Sequence, residues 1–279
     1  MKIKKILLFV GTILGLGIMF YPLFSQIYYD IESQVRSDHF ADEVKETYVP
    51  SQIQKNIKLA RAYNEALAPN LSWNDPYTDE ERSEGVQSYA KMLEVQEKIG
   101  VVHIPSISLS LPIYAGTNEH ILQKGVGHLE GTSLPIGGEN THSVLTAHRG
   151  LPQARLFTDL DKLKLKDIFS VATINGDVFY EVDQIVVIAP TETDKVKIEP
   201  GKDYLTLLTC TPYMINSHRL WVRGKRITDF SPNQLERVQN NKENAILYYI
   251  KAYALYFFFL LLTLLIVGHI WKKRDVIKE

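Results

Sequence analysis

Cys210 is the only cysteine in the 279 residues. It closes the run Tyr204-Leu205-Thr206-Leu207-Leu208-Thr209-Cys210, whose composition predicts a strand. Pro212 has no N–H to donate to a continuing ladder, so the strand stops there and the thiol stands at its rim. Eight residues separate Cys210 from Arg219, which opens a second β-rich run, Arg219-Leu220-Trp221-Val222-Arg223. If the two runs pair as an antiparallel hairpin, the end of one lies beside the start of the other, and Arg219 comes close to Cys210. A guanidinium in that place has the donors to steady a thiolate, grip a substrate carbonyl or stabilise an oxyanion. A thiol nucleophile also needs a base or ion-pair partner, normally a histidine distant in sequence. Of the eight histidines, His148 ends the run Ser143-Val144-Leu145-Thr146-Ala147 and leads into Arg149-Gly150, a second strand end. His218, beside Arg219, is its rival, while His103, His128 and His142 read more simply as structural or surface groups. A lone thiol also has a plainer reading as a small buried hydrophobe, and residue types alone leave both readings open.

The elements that must position these residues change character near Ile99. Before it, Ile53, Ile57, Ala60, Tyr63 and Leu67 recur at helical spacing and predict an amphipathic helix. Pro69, Asn70, Asn74, Asp75 and Pro76 break that pattern into a loop over about 68–85, and a second helical pattern, Val86, Tyr89 and Leu93, follows Gly85. From Ile99 onward short β-branched runs are set off by Gly, Pro and Asn. Strands are predicted over 100–104, 111–115, 143–147, 168–174, 178–189, 203–210 and 219–227. Asn175-Gly176 marks a tight hairpin, since both residues tolerate positive φ. Short helical turns fit 119–123 and 154–160. Many short strands with few helical insertions suggest a closed or nearly closed barrel.

The two ends of the chain are apolar. From Ile6 to Phe24 there is no charged residue, and the run matches the roughly 20 residues a helix needs to cross hydrocarbon. A second uncharged run covers 252–271 and includes Phe257-Phe258-Phe259-Leu260-Leu261-Leu262. Lys2, Lys4 and Lys5 precede the first run, and Lys272, Lys273 and Arg274 follow the second, which predicts that both termini are cytoplasmic and that the chain between lies outside. A cleaved signal is the alternative for the first run, but Phe20-Tyr21-Pro22-Leu23-Phe24 lacks small residues at cleavage spacing. The predicted layout is a basic start over 1–5, a span over 6–24, an N-terminal helical region over 25–98, a β domain over 99–228, a linker over 229–251, a span over 252–271 and a basic tail over 272–279. With 31 Lys+Arg against 32 Asp+Glu the formal charge is −1, so no basic excess exists to neutralise nucleic-acid phosphates. One Cys and no closely spaced His pair offer no metal-ligand set, although scattered Asp and Glu leave an oxygen-only calcium site open.

Thr206-Leu207-Leu208-Thr209-Cys210-Thr211-Pro212-Tyr213 with His218-Arg219-Leu220 resembles the signature of the sortases. Leu145-Thr146-Ala147-His148-Arg149-Gly150 resembles their catalytic histidine motif. Gly125-Val126-Gly127-His128 and Leu134-Pro135-Ile136-Gly137-Gly138 are similar to the same family, so the resemblance covers about 99–226. The C-terminal span and the loop bearing Trp73-Asn74-Asp75-Pro76-Tyr77 resemble class C, the pilin-polymerising sortases, whose lid carries an Asp-Pro-aromatic motif. Met214 departs from the pattern, standing where this class more often has Gly.

The resemblance implies a mainly β protein: an eight-stranded sortase barrel with short helical insertions, preceded by N-terminal helices and a lid loop and flanked by two transmembrane helices. It implies a cysteine transpeptidase in which Cys210 is the nucleophile, His148 the general acid and base, and Arg219 the stabiliser of substrate and oxyanion. It further implies that Asp75, Pro76 and Tyr77 form a removable lid, with Arg219 a suggested partner for Asp75. The expected reaction cleaves an LPxTG-like sorting signal between Thr and Gly and passes the acyl group to a pilin lysine as an isopeptide bond, without a cofactor. The implied location is a Gram-positive cell surface. Two alternatives stand beside it: a housekeeping sortase that anchors proteins to the cell wall, and a membrane-tethered binding module in which Cys210 is merely buried. Hydrolysis in place of transfer is a further variant.

Overall fold

The computed structural model describes residues 2–67, 89–192 and 196–230, together with 254, 258–263 and 265 of the C-terminal apolar run. Eight strands close into a barrel in the order β1-β2-β3-β4-β7-β8-β6-β5. They are β1 (Lys98–Ile104), β2 (Leu109–Ala115), β3 (Val126–His128), β4 (Thr141–Thr146), β5 (Ile168–Thr173), β6 (Gly176–Ile188), β7 (Asp203–Thr211) and β8 (His218–Ile227). The β2–β3 and β4–β7 pairs are parallel, and the remaining pairs are antiparallel. Closure leaves no open sheet edge.

Inward-facing Val, Ile and Leu from every strand fill the barrel, and Phe169 stacks on Tyr180 with ring centroids 5.6 Å apart. That stack occupies the space beside Gly224, where an added Cβ would stand 2.6 Å from the Phe169 ring. Every residue of β4 is buried, including His142, whose Nε2 lies 2.8 Å from Thr206 Oγ1 and whose Nδ1 lies 3.0 Å from the Lys197 carbonyl. These two bonds satisfy a polar ring in the core and tie β4 to β7.

The helices that accompany the barrel in the described residues before the C-terminal apolar run are α1 (Lys2–Asp38), α2 (Phe40–Thr47), α3 (Pro50–Ala66) and α4 (Glu119–Lys124). The apolar face expected for α3 is present, with Ala60 buried and Ile53, Ile57 and Tyr63 packed against the core. Asn64 on the same face donates to the Leu134 carbonyl and accepts from the Leu134 N–H. Buried Lys98 ties α1 and α2 to β1 by donating to the Arg36 carbonyl at 3.3 Å and pairing with Glu43.

Several expectations shift in detail. Seven strands follow the predicted runs, and the eighth, β3, has only three residues, too few to show an alternating pattern. The β5–β6 hairpin closes on Thr173 opposite Gly176, so its turn lies at Ile174 and Asn175, and only Gly176 takes positive φ, at 86°. Of the helical pattern over 86–93, the described part holds a single 3-10 turn, Lys91–Leu93. The reversal at Gln96 and Glu97, both at positive φ, bridges Val95 to Lys98 and separates that turn from β1. The turn expected over 154–160 is present, with Thr158 donating to the Arg155 carbonyl and Leu160 to the Phe157 carbonyl, and it runs on into a 3-10 turn at Leu160–Lys162.

Within α1, Val10–Asp38 is long and apolar enough to cross a membrane, the one such helix among the described residues. The helix continues past Phe24, the predicted end of the span, and runs on to Asp38 along the barrel. The second apolar run lies largely outside the described residues. Phe258–Thr263 is helical, and Leu260 packs against Phe20 and Leu23 of α1.

Candidate active site

Register brings the β7–β8 hairpin and the distant end of β4 to one rim of the barrel. In the antiparallel β7–β8 pair Cys210 stands directly opposite Arg219. In the parallel β4–β7 pair Thr146 stands opposite Leu208. The contact continues past the end of β4, as Ala147 donates to the Leu208 carbonyl at 3.3 Å and Thr209 Oγ1 donates to the Ala147 carbonyl at 2.7 Å. The next residue, His148, therefore leaves the barrel beside the C-terminal end of β7. Directly opposed strand residues share a face, so Cys210 and Arg219 do as well. His218, one residue earlier on β8, points to the other face, is exposed, and has Nδ1 2.9 Å from Ser217 Oγ.

Cys210 and Arg219 are both buried, 6% and 4% exposed, and a charge so shielded from water exerts a stronger field on its surroundings than one at the surface. Nη1 of Arg219 donates to the carbonyls of Asn216 at 3.0 Å and His218 at 3.1 Å, which fixes the fork in place. His148 is partly open, and its Nε2 lies 3.2 Å from Glu119 Oε2 on the first turn of α4. That turn is set by the Asn118 side chain, which accepts from the Ile121 N–H, and Glu119 Oε1 accepts from Gln123. Arg149 clamps the histidine segment to the rim, donating to Thr158 O, Thr211 Oγ1 and Asp161.

The loop from Pro212 to Ser217 arches over this rim. Met214 takes φ 64° and Asn216 φ 60°, the left-handed region that glycine and asparagine enter cheaply. The position where glycine was expected is thus one whose backbone conformation suits glycine, and Met214 occupies it at a cost. Gly150, at φ 89°, allows the loop to close down: a Cβ there would stand 3.2 Å from Met214 Sδ and 3.3 Å from Tyr213 Cε2.

Among the other histidines, His128 and His142 are buried with ring nitrogens bonded, and burial pushes both down to about 4. His103 on β1 has Nδ1 2.9 Å from Ser110 Oγ, on the far side of the barrel order from β7. Among the described residues no three His, Cys, Asp or Glu are grouped to hold a metal ion. A cavity of about 980 Å³ lies at the opposite pole, lined by Arg61, Thr141, Asn175, Asp203 and Arg226 among others, and contains none of the three candidate residues. The predicted lid residues Asp75, Pro76 and Tyr77 lie outside the described residues.

Sequence reasoning did not find Glu119 or the Arg149 clamp. Glu119 is 29 residues from His148, and only the return of α4 and β3 beside β4 brings them together. Arg149 was read as part of a motif, with no signal that its partners are Thr211 and Asp161.

A sortase domain profile matches residues 102–227. Sortase D of Bacillus subtilis is 30% identical over 138 residues, which cover 48% of this chain and 67% of the relative. Sortase A of Streptococcus agalactiae is 26% identical over 163 residues, covering 57% of this chain and 61% of that one. Among solved structures, sortase C2 of Group B Streptococcus pilus island 1 is 58% identical with a TM-score of 0.62, covering 64% of this chain and 99% of that one. Sortase C-1 of Streptococcus pneumoniae is 52% identical with a TM-score of 0.66, covering 70% and 99%.

Proposed function

This chain belongs to the sortase family, and on that premise we propose that Cys210, His148 and Arg219 carry its transpeptidation. It is a cysteine transpeptidase of class C, the pilus-assembling sortases, and joins pilin subunits through isopeptide bonds. The observation that supports these roles is the register that sets Cys210 against Arg219 and delivers His148 to the same rim.

The thiolate of Cys210 attacks the Thr carbonyl of an LPxTG-like sorting signal, and Arg219 offers its N–H donors to the oxyanion that develops. As the tetrahedral intermediate collapses, the Thr–Gly C–N bond breaks. His148 as imidazolium gives its proton to the leaving amine, leaving a thioester on Cys210. The amine of a pilin lysine then attacks the thioester, neutral His148 takes the proton, and the thiolate departs. The acyl bond energy is kept in the thioester, so no cofactor is needed.

A lid formed by Asp75, Pro76 and Tyr77 guards the groove, and the catalytic barrel corresponds to 99–228. The barrel stands outside the cell between two spans, 6–24 and 252–271, with both termini cytoplasmic. The packing of Leu260 on Phe20 and Leu23 supports a paired arrangement of the two apolar segments.

The test is an acceptor assay. A pilin bearing the sorting signal is incubated with the enzyme, with and without the lysine-bearing acceptor pilin, and products are resolved by mass. Covalent pilin dimers that need both the acceptor lysine and Cys210 are the expected result. Free pilin acid as the product in both arms would establish hydrolysis and overturn the polymerase reading.

A further inference from the structure

Three consecutive large apolar side chains stand in water at the catalytic rim. Tyr213, Met214 and Ile215, at the tip of the loop between β7 and β8, are 48%, 66% and 70% exposed. Exposed Leu165 and Val187 on the barrel stand singly, as ordinary surface residues do, whereas a contiguous apolar tip marks a surface with a partner. The left-handed backbone of Met214 adds to this, because its side chain is mostly in solvent and little packing offsets the strain.

What lies beside the tip identifies the partner. Tyr213 and Met214 rest against Gly150. A few residues further on, the carbonyls of Pro152 and Gln153 accept from Gln26 Nε2 at 3.4 Å and Ser25 Oγ at 3.2 Å. Ser25 and Gln26 are the first residues of α1 beyond the apolar run that ends at Phe24. The next turn of α1 is held too, as Asp30 pairs with buried Arg155 at 3.4 Å and Arg155 bonds Asp159 at 2.7 Å. No more than about 11 Å of extended chain separates Gly150 from Gln153. The apolar tip, the segment that follows His148 and the turn where α1 leaves its apolar run therefore form one contiguous patch.

We infer that Tyr213, Met214 and Ile215 form a membrane-contact surface that enters the lipid interface, so that the catalytic rim opens at the bilayer. The inference rests on α1 being a membrane span. The residue types fit such a place: a tyrosine keeps its hydroxyl at headgroup level while methionine and isoleucine enter the acyl boundary. A tip of three side chains binds lipid weakly by itself, but the span already holds the barrel at the surface, so little further affinity is needed. An acyl donor tethered in the same bilayer then meets Cys210 without leaving the membrane plane.

The test uses the full chain in phospholipid nanodiscs in a Cys210→Ala background, with one nitroxide label placed by Met214→Cys, Ile215→Cys, Phe24→Cys or Lys202→Cys. Collision of each label with oxygen, which concentrates in lipid, is compared with collision with a water-soluble nickel chelate. Labels at 214 and 215 are expected to favour oxygen several-fold over the label at 202, which stands at the opposite pole, and to approach the label at 24. If 24 is in lipid but both 214 and 215 behave like 202, the inference is overturned while the span stands. If 24 itself is in water, the span fails and the inference falls with it. Shielding of 214 from nickel only after a sorting-signal peptide is added assigns the tip to the substrate and rejects the lipid contact.

Discussion

The proposed mechanism gives a thiol, an imidazole and a guanidinium different work, and their substitutions should fail differently. In the proposed mechanism Cys210 is the nucleophile, so Cys210→Ala is expected to abolish acyl transfer. Arg219→Lys keeps the charge but loses the planar fork, so kcat should fall by about 10²–10³ with little change in KM, as for other lost oxyanion donors. An equal fall in 1/KM and an unchanged kcat would mean that Arg219 only binds substrate. Glu119→Gln removes a carboxylate that orients the His148 ring from an exposed position, and the acylation rate should fall only about two- to fivefold. Met214→Gly should raise barrel stability by roughly 1 kcal/mol in a denaturant titration, since it relieves a left-handed backbone. An unchanged midpoint would show that the loop pays nothing for φ 64°.

Short strands with little sequence signal carry much of the geometry. Gly127 in β3 lies so close to β2 that an added Cβ would stand 2.5 Å from the Gly116 carbonyl and 3.0 Å from Leu122. Gly127→Ala should therefore force β3 and α4 apart and cost about 1–3 kcal/mol, seen as a lower thermal midpoint; wild-type stability would refute this close packing. β3 is also where sequence reading fell short, because three residues cannot display a period of two. The runs around Cys210, Arg219 and His148 were legible because each has a β-rich segment ending at a Pro, Gly or charged boundary. The pairing of Cys210 with Arg219 followed from a hairpin, a local rule. The approach of His148 did not, since it needs the parallel β4–β7 contact between segments some sixty residues apart. In the described part of the helical pattern at Val86, Tyr89 and Leu93, Tyr89 ties its segment to the barrel, with its hydroxyl 2.5 Å from His128 Nδ1, a contact that spacing alone does not announce.

For the whole molecule, burial of two neutral histidines sets the response to acid. His128 and His142 bind a proton near 6.5 when unfolded and only near 4 when folded, so the unfolded chain takes up more protons between those values. Stability is therefore complete above about pH 6.5 and declines as pH falls toward 4, by up to about 3 kcal/mol per histidine. Asp203 and Glu130, whose carboxyls burial pushes up, favour the folded state when protonated and blunt the decline at its acid end. Thermal midpoints at pH 7.5 and pH 5 should differ, and His142→Asn should narrow the gap; equal midpoints in the parent protein would contradict this account. The central claim is that one rim, assembled from β4, β7 and β8, makes Cys210 an acyl carrier. It is tested most directly by intact-mass spectrometry of the protein after incubation with an LPxTG-type pilin substrate. The account predicts a mass increase equal to the acyl portion of the substrate, mapped to Cys210, released by an amine acceptor, lost in Cys210→Ala and strongly reduced in His148→Ala. An adduct that maps elsewhere, or none even after Tyr77→Ala in the proposed lid, would contradict it.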